Sequence, residues 1–271
     1  MMRRGFVIFI LVAISCFTLL ARRHLVAVSA ATETNSNGIT RTPVLVELFT
    51  SEGCSDCPPA DELLERLDRY QPVRDADLIV LSEHVDYWDD IGWRDPYSSH
   101  AFSIRQGDYA RRFRLAGPYT PQMVVDGEME LVGSDERRAI HVIENSIKAE
   151  KLQVFLSSIH REGSNNISVH VETGPLVSQG KRAAAQVTIA LADNIDQSSV
   201  RGGENSGRIL THVAVVRNLT SVGRIDIGGK FTRDVMVSAG NADRHDLRII
   251  AIVQEMNLGR VLGVGSARVL N

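Results

Sequence analysis

The sequence VLVELFTSEGCSDCPP, residues 44–59, carries the strongest indications of the fold. Its first part, Val44–Phe49, is an apolar run interrupted by one acid, which is typical of a strand buried on both faces of a sheet. Two prolines close the stretch, and proline is tolerated in the first turn of a helix because its missing N–H costs little there. The stretch therefore predicts a strand, a turn that carries Cys54 and Cys57, and a helix.

The two cysteines form a C-x-x-C pair at this strand-to-helix turn. Free N–H groups and the positive end of the helix stabilise a thiolate at Cys54, and the two-residue spacer brings Cys57 within disulfide reach. Zinc sites use the same spacing, but a structural zinc ion needs about four ligands. The sequence has one other cysteine, Cys16, and no H-x-x-x-H-like pair among its eight histidines. A structural zinc site is therefore not expected.

The pattern changes near residue 150. Strand-like and helix-like segments alternate over residues 43–150 and predict an α/β domain with the order β-α-β-α-β-β-α. From residue 151 to residue 271, apolar residues alternate with others, as in Ile167, Val169 and Val171. This second half is predicted to be an antiparallel β-sandwich-like domain of six to eight strands. The glycine-rich stretch 201–207 does not fit a phosphate-binding loop and is predicted to dock the two domains.

The chain resembles the thioredoxin-like superfamily in its Cys-x-x-Cys-Pro motif, its element order and the pair Thr120–Pro121 before a strand. More closely, residues 47–61, 84–93 and 119–127 resemble a family of exported bacterial proteins of unknown function. The resemblance implies that Cys54 attacks a partner, that Cys57 resolves the mixed disulfide, and that Pro121 follows a cis peptide bond. The resemblance does not identify a substrate.

Glu47 is the acid within the first strand, where a carboxylate is costly unless it has a partner. With an offset of one residue, it resembles the buried acid that moves a proton to or from the second cysteine in thioredoxins. The alternative is an acid paired with an arginine.

Five further residues are candidates for contacting a partner. Thr120 precedes the proline, and His84 and Asp86 end the second strand, near the expected position of the sulfurs. His84 is expected to stabilise a thiolate or to ligate a soft metal; the alternative is a hydrogen-bonded histidine beneath a loop. Trp88 and Trp93 lie in an aromatic and acidic insertion, where they either grip a peptide or pack the insertion down.

Residues 1–31 have the features of an export signal: two early arginines, an apolar run and the small-residue site Val28–Ala30. Arg22 and Arg23 interrupt this pattern, so an uncleaved membrane anchor and lipid attachment at Cys16 are the alternatives. Residues 32–42 are predicted to be a polar tether. The protein is therefore expected to be periplasmic or secreted, or anchored facing the periplasm, with membrane contact only through the uncleaved segment. A net charge of −3 argues against nucleic-acid binding.

Three functions remain open from the sequence. The first is an exported thiol–disulfide oxidoreductase, whose partner is a protein thiol or disulfide and which needs no cofactor. The second is a non-catalytic binding or structural module with a static Cys54–Cys57 disulfide. The third is a copper carrier that uses the two cysteines and His84.

Overall fold

The computed structural model describes residues 41–163, 165–177, 184–240 and 246–269. The first half contains β1 (Thr42–Thr50), α1 (Pro58–Tyr70), β2 (Ala76–His84), α2 (His100–Phe113), β3 (Gln122–Val125), β4 (Met129–Val132) and α3 (Glu136–Ser146). The second half contains β5 (Val154–Glu162), β6 (Asn166–Thr173), β7 (Ala184–Ser199), β8 (Ile209–Asp226), β9 (Thr232–Ser238), β10 (Leu247–Glu255) and β11 (Val261–Val269).

The predicted export signal lies outside the described residues, as do residues 32–40 of the predicted tether. Within the described ranges, none of the helices combines the length and the apolar character needed to cross a membrane.

The first half follows the predicted order of strands and helices. Helix α2 begins after Ser99, whose side chain accepts a hydrogen bond from the backbone N–H of Ala101. Strands β3 and β4 form a hairpin in which Asp126 and Gly127 both have positive φ, as the Asp-Gly pair predicts. The Thr120–Pro121 peptide bond is cis, as the resemblance implies.

The second half is joined to the first through one mixed sheet. The strand order is β11-β10-β7-β8-β2-β1-β3-β4, and β8 runs parallel to β2 with Val215 opposite Ser82. Strands β5, β6 and β9 form a separate three-stranded sheet. The described chain is thus mostly β, and the strands of its second half are divided between the large mixed sheet and the three-stranded sheet, so the sandwich-like domain predicted for residues 151–271 is not confirmed. The boundary between residues 150 and 151 remains a prediction, because the large sheet contains strands from both sides of it.

Different layers cover the two faces of the large sheet. Helices α1 and α3 pack on Val44, Val46 and Leu48 of β1, whereas the α2 residue Phe102 packs with Leu45 on the opposite face. The three-stranded sheet covers β7, β10 and β11. This arrangement places the β1–α1 turn next to the segment between β7 and β8, although some 150 residues separate them in the chain.

Candidate active site

Cys54 and Cys57 form a disulfide at the start of α1. Cys57 is the N-cap residue, and its backbone carbonyl accepts hydrogen bonds from the N–H groups of Ala60 and Asp61. The fractional exposure is 2% for Cys54 and 0% for Cys57. The predicted pairing is therefore present, but the sulfurs are covered, whereas the neighbouring Ser55 and Asp56 are exposed.

The first part of the cover is residues 85–99, which we call the Trp segment. Trp88 lies against Gly53, where an added Cβ would lie 3.0 Å from the Trp88 Cβ. The indole N–H of Trp88 donates a 2.8 Å hydrogen bond to Thr120 Oγ1, just before Pro121. The lack of a side chain at Gly53 thus lets the Trp segment approach the cysteine turn. The hydrogen bond from Trp88 links the segment to the residues just before β3.

Pro121 itself lies near the start of α1. A Cβ added to Gly133 would lie 3.0 Å from the Pro121 Cβ and 3.1 Å from the Ala60 Cβ. The structure therefore brings Thr120, Pro121 and Trp88 to the same end of the sheet as the cysteines.

The second part of the cover is residues 200–208, which we call the Gly segment. The Asn205 amide donates to the backbone carbonyls of Glu52 (2.8 Å) and Cys54 (2.9 Å). The Ser55 backbone N–H donates to the Glu204 carboxylate at 3.0 Å. Gly202 packs so closely on the Trp segment that an added Cβ would lie 2.3 Å from the Gly92 carbonyl oxygen. The segment thus contacts both the cysteine turn and the Trp segment, as expected of a docking turn.

A buried group of ionisable side chains surrounds the cysteine turn; we call Glu52, Asp61, His84, Asp95 and His212 the polar cluster. The His84 Nδ1 lies 2.7 Å from Asp95 Oδ2, and this oxygen also accepts the backbone N–H of Glu52. The His212 Nε2 lies 3.3 Å from Glu52 Oε1, and its Nδ1 lies 3.7 Å from Asp61 Oδ1. His212 therefore lies between two carboxylates that flank the cysteines in the sequence.

Two further groups donate hydrogen bonds to the Glu52 carboxylate. The Trp93 indole N–H donates to Glu52 Oε2 at 2.7 Å, and Ser198 Oγ donates to Oε1. The two histidine rings pack edge to face, with centroids 4.6 Å apart. Trp93 thus contacts the polar cluster, so both predicted tryptophans lie in the cover of the site.

Two members of the polar cluster, Asp95 and His212, have strongly shifted pKa values. Burial raises the pKa of Asp95, but His84 and two backbone N–H groups outweigh it and lower the pKa to about 2. Burial lowers the pKa of His212, but the carboxylates of Asp61 and Glu52 outweigh it and raise the pKa to about 10. At neutral pH, His212 is thus a buried cation between the carboxylates of Glu52 and Asp61.

Glu47 faces the opposite side of the sheet. It receives hydrogen bonds from Arg105 Nε and from the Tyr109 hydroxyl, both at 2.7 Å. The neighbouring Glu83 also faces Arg105, at 3.6 Å, and burial followed by repulsion from Glu47 raises the pKa of Glu83 well above its usual value. The structure thus places Glu47 in an arginine-paired network on α2, while its proton-transfer role remains a prediction.

Asp86 is also directed towards α2. Its carboxylate accepts hydrogen bonds from Ser103 Oγ at 2.5 Å and from His100 at 3.0 Å. These contacts place it at the first turn of α2, and its predicted contact with a partner remains a prediction.

Sequence reasoning did not identify Glu52, Asp61, Asn205 or His212 as site residues. The first two lie within or next to the stretch that carries the cysteines, so their position in the sequence was a usable signal. Asn205 and His212 come from the distant β7–β8 region; the pair Glu204–Asn205 belongs to the stretches that resemble the exported family, but nothing in the sequence placed either residue beside the cysteines. Among the residues described, no group of three or more His, Cys, Asp or Glu is arranged to hold a metal ion.

The family described as "Protein of unknown function (DUF1223)" matches residues 45–254. No curated protein matches the chain.

Two solved structures share the fold. Protein AGR_C_4864 from Agrobacterium tumefaciens is 24% identical, with a TM-score of 0.63, over 85% of this chain and 95% of that one. HBP35 of Porphyromonas gingivalis is 17% identical, with a TM-score of 0.58, over 85% of this chain and 76% of that one. At these identities the likeness concerns the fold alone.

Proposed function

The chain belongs to the DUF1223 family, whose function is unknown, and we propose that it is an exported thiol–disulfide oxidoreductase with a thioredoxin-like core. The observation that carries the proposal is the Cys54–Cys57 disulfide at the first turn of α1, bordered by the polar cluster. Buried groups with strongly shifted pKa values are more frequent at functional sites than elsewhere. The order of elements over residues 42–146 supports the thioredoxin-like assignment.

The reaction uses the two sulfurs in turn. The Cys54 thiolate attacks one sulfur of the partner's disulfide, which forms a mixed disulfide and releases the other partner sulfur as a thiolate that takes a proton from solvent. The Cys57 thiolate then attacks Cys54 Sγ, which closes the intramolecular disulfide and releases the second partner thiol. Two electrons pass from the protein dithiol to the partner, and the reverse sequence oxidises a partner dithiol.

One feature of the site favours the thiolate form needed for attack. The N-terminus of α1, the positive end of the helix dipole, directly follows the cysteine turn, although its first two residues are prolines and the N–H groups of Ala60 and Asp61 donate to the Cys57 carbonyl. The charge of His212 is matched by the carboxylates of Glu52 and Asp61, so it adds no net positive charge beside the sulfurs. The exposed Asp56 acts in the opposite direction, because a nearby carboxylate disfavours a thiolate.

The burial of both sulfurs favours a second function, a non-catalytic module with a static disulfide. In that account, Asn205 and Trp88 hold the cysteine turn closed and recognition lies elsewhere. However, a disulfide that closes a short loop stabilises the fold only a little. By chain-entropy arguments, the stabilisation is about 2 kcal/mol for a four-residue loop and about 3 kcal/mol for a loop of fifteen residues. We therefore favour exchange by a site that opens when the cover is displaced. The copper-carrier alternative has no supporting arrangement in the described residues.

Export rests on the sequence of residues 1–31. A periplasmic or secreted location suits the proposed chemistry, since disulfides persist in oxidising compartments. The proposed partner is a protein thiol or disulfide.

The proposal is tested by trapping the mixed disulfide between the protein and its partner. Cys57→Ser leaves Cys54 without a resolving thiol, so mixed disulfides with partners should accumulate on the variant and disappear on reduction. Cys54→Ser and the double variant are matched controls and should trap nothing. If Cys57→Ser traps no more than the double variant in the native compartment, the static-disulfide account replaces the proposed one.

A further inference from the structure

A cavity of about 250 Å³ opens beside the cysteine pair, between the first two turns of α1 and the start of β8. Its α1 wall consists of Pro58, Asp61, Glu62 and Glu65, whose spacing of three and four residues puts them on one helix face. Pro58 directly follows Cys57, so the cavity starts one residue beyond the disulfide and extends along the helix.

The carboxylate of Asp61 is the innermost charge of this wall. The residue is 5% exposed, and neither of its carboxylate oxygens accepts a hydrogen bond. Its nearest positive charge is His212, at 3.7 Å, beyond hydrogen-bonding distance. A buried carboxylate is costly unless it is hydrogen-bonded as well as paired, so Asp61 is incompletely satisfied by His212 and gives this wall of the cavity a negative charge.

The other groups around the cavity determine which ligands suit it. Glu62 is exposed and Glu65 half-buried, so the described lining carries three carboxylates against one guanidinium, that of Arg208. Arg208 already donates to Asn205 Oδ1 at 2.9 Å. On the opposite wall, Ile209 is 66% exposed and offers apolar surface to an alkyl chain. A long side chain with a cationic end fits both walls.

We propose that this cavity binds a lysine or arginine side chain of the polypeptide that exchanges disulfides with Cys54. The inference rests on the proposed function and names its substrate class: cysteine-containing segments with a basic residue near the reacting cysteine. Bound in this way, the basic side chain lies along α1 while the partner's sulfur approaches the disulfide end.

Binding is tested first without redox chemistry. The probe is a short Gly/Ser peptide that carries several lysines and no cysteine, compared by calorimetry with its Lys→Gln counterpart on the oxidised full chain. We expect the lysine peptide to bind roughly fivefold more tightly, and the double variant E62Q/E65Q to lose about that factor. The double variant E128Q/E144Q, an equal charge change at two exposed positions outside the cavity, is the matched control. Equal binding of the two peptides, or an equal loss in the control, overturns the inference.

Exchange is then measured with disulfide-linked versions of the same two peptides and the reduced protein. A higher kcat/KM for the lysine version, reduced in E62Q/E65Q, supports the inference. Exchange of both peptides at one rate overturns the inference and leaves the proposed function in place. Exchange with neither peptide, despite preferential binding of lysine, overturns the proposed function instead.

Discussion

The side-chain amide of Asn205 donates a 2.9 Å hydrogen bond to the backbone carbonyl of Cys54, which lies 151 positions earlier in the chain. The same amide donates to the carbonyl of Glu52, so one buried side chain from the second half fixes the turn that carries the disulfide. The second half of the chain is thus part of the candidate site. The buried sulfurs thus lie in a turn that is fixed by a contact between distant segments.

Replacing Asn205 with alanine should both destabilise the protein and open the site. The Glu52 carbonyl loses its Asn205 donor, while the Cys54 carbonyl keeps only a 3.2 Å contact from the Cys57 N–H. We expect a loss of about 2 kcal/mol in the free energy of unfolding and disulfide reduction by dithiothreitol at least about tenfold faster. Denaturant titration and thiol-alkylation kinetics measure the two effects. Ser206→Ala, at an exposed position of the same segment, is the control; a destabilised variant reduced at the wild-type rate would refute control by the cover.

Gly202→Ala should separate the Gly segment from the Trp segment. The new Cβ would meet the Gly92 carbonyl oxygen at 2.3 Å, and a backbone atom cannot move aside as a side chain can. Trp93 lies 3.8 Å from the same Cβ position, and the chain has two tryptophans. We expect a red-shifted tryptophan emission and a lower Tm. Gly117→Ala is the control, since nothing lies within 4 Å of its Cβ position; identical spectra of the two variants would argue against the described packing.

The buried charge of His212 should make stability depend on alkaline pH. Its pKa is raised from 6.5 to about 10, so its stabilising contribution is complete below pH 6.5 and is lost as the pH rises through 10. The free energy of unfolding of the oxidised protein should fall by up to about 1.4 kcal/mol per pH unit over this interval. In His212→Gln this slope should be much smaller, while the exposed His141→Gln should retain it. An unchanged slope in His212→Gln would mean that the imidazole is neutral in the fold.

Arg105→Ala should be among the most destabilising substitutions in the first half. It removes the cation that faces Glu47 at 2.6 Å and Glu83 at 3.6 Å, both of which are fully buried. We expect a loss of about 3–5 kcal/mol in the free energy of unfolding, measured by urea denaturation near neutral pH. The exposed pair of Arg66 with Glu136 provides the comparison, and Arg66→Ala should cost less than about 1 kcal/mol. Equal costs for the two variants would show that the Glu47 network is not held by Arg105.

Local signals in the sequence were sufficient for the elements around the cysteines. The prolines after Cys57 and the turn residues Asp126 and Gly127 act over a few residues, and each has the local structure expected from it. The same holds for the pairing of Cys54 with Cys57.

The sequence pattern did not predict which strands pair when they are far apart in the chain. Alternating apolar residues identify β8 as a strand, but the same alternation suits an isolated sandwich and an extension of the first sheet. The pairing of Val215 with Ser82 brings His212 to Asp61 and the Gly segment to Cys54. Glu47 was identified correctly as a buried acid, but its face of the sheet was not predicted. It is offset by one residue from the acid of thioredoxins, and a shift of one residue moves a side chain to the other face of a sheet.

An equilibrium redox titration of Cys54 and Cys57 in the protein distinguishes an exchange site from a structural disulfide. Thiol alkylation is followed against glutathione and dithiothreitol buffers, with the double Cys→Ser variant as the blank. The oxidoreductase account predicts a reversible couple in the range of known exchange catalysts, between about −120 and −270 mV. A bond that stays oxidised well below about −300 mV, or is reduced only after unfolding, would contradict the account and identify a structural disulfide.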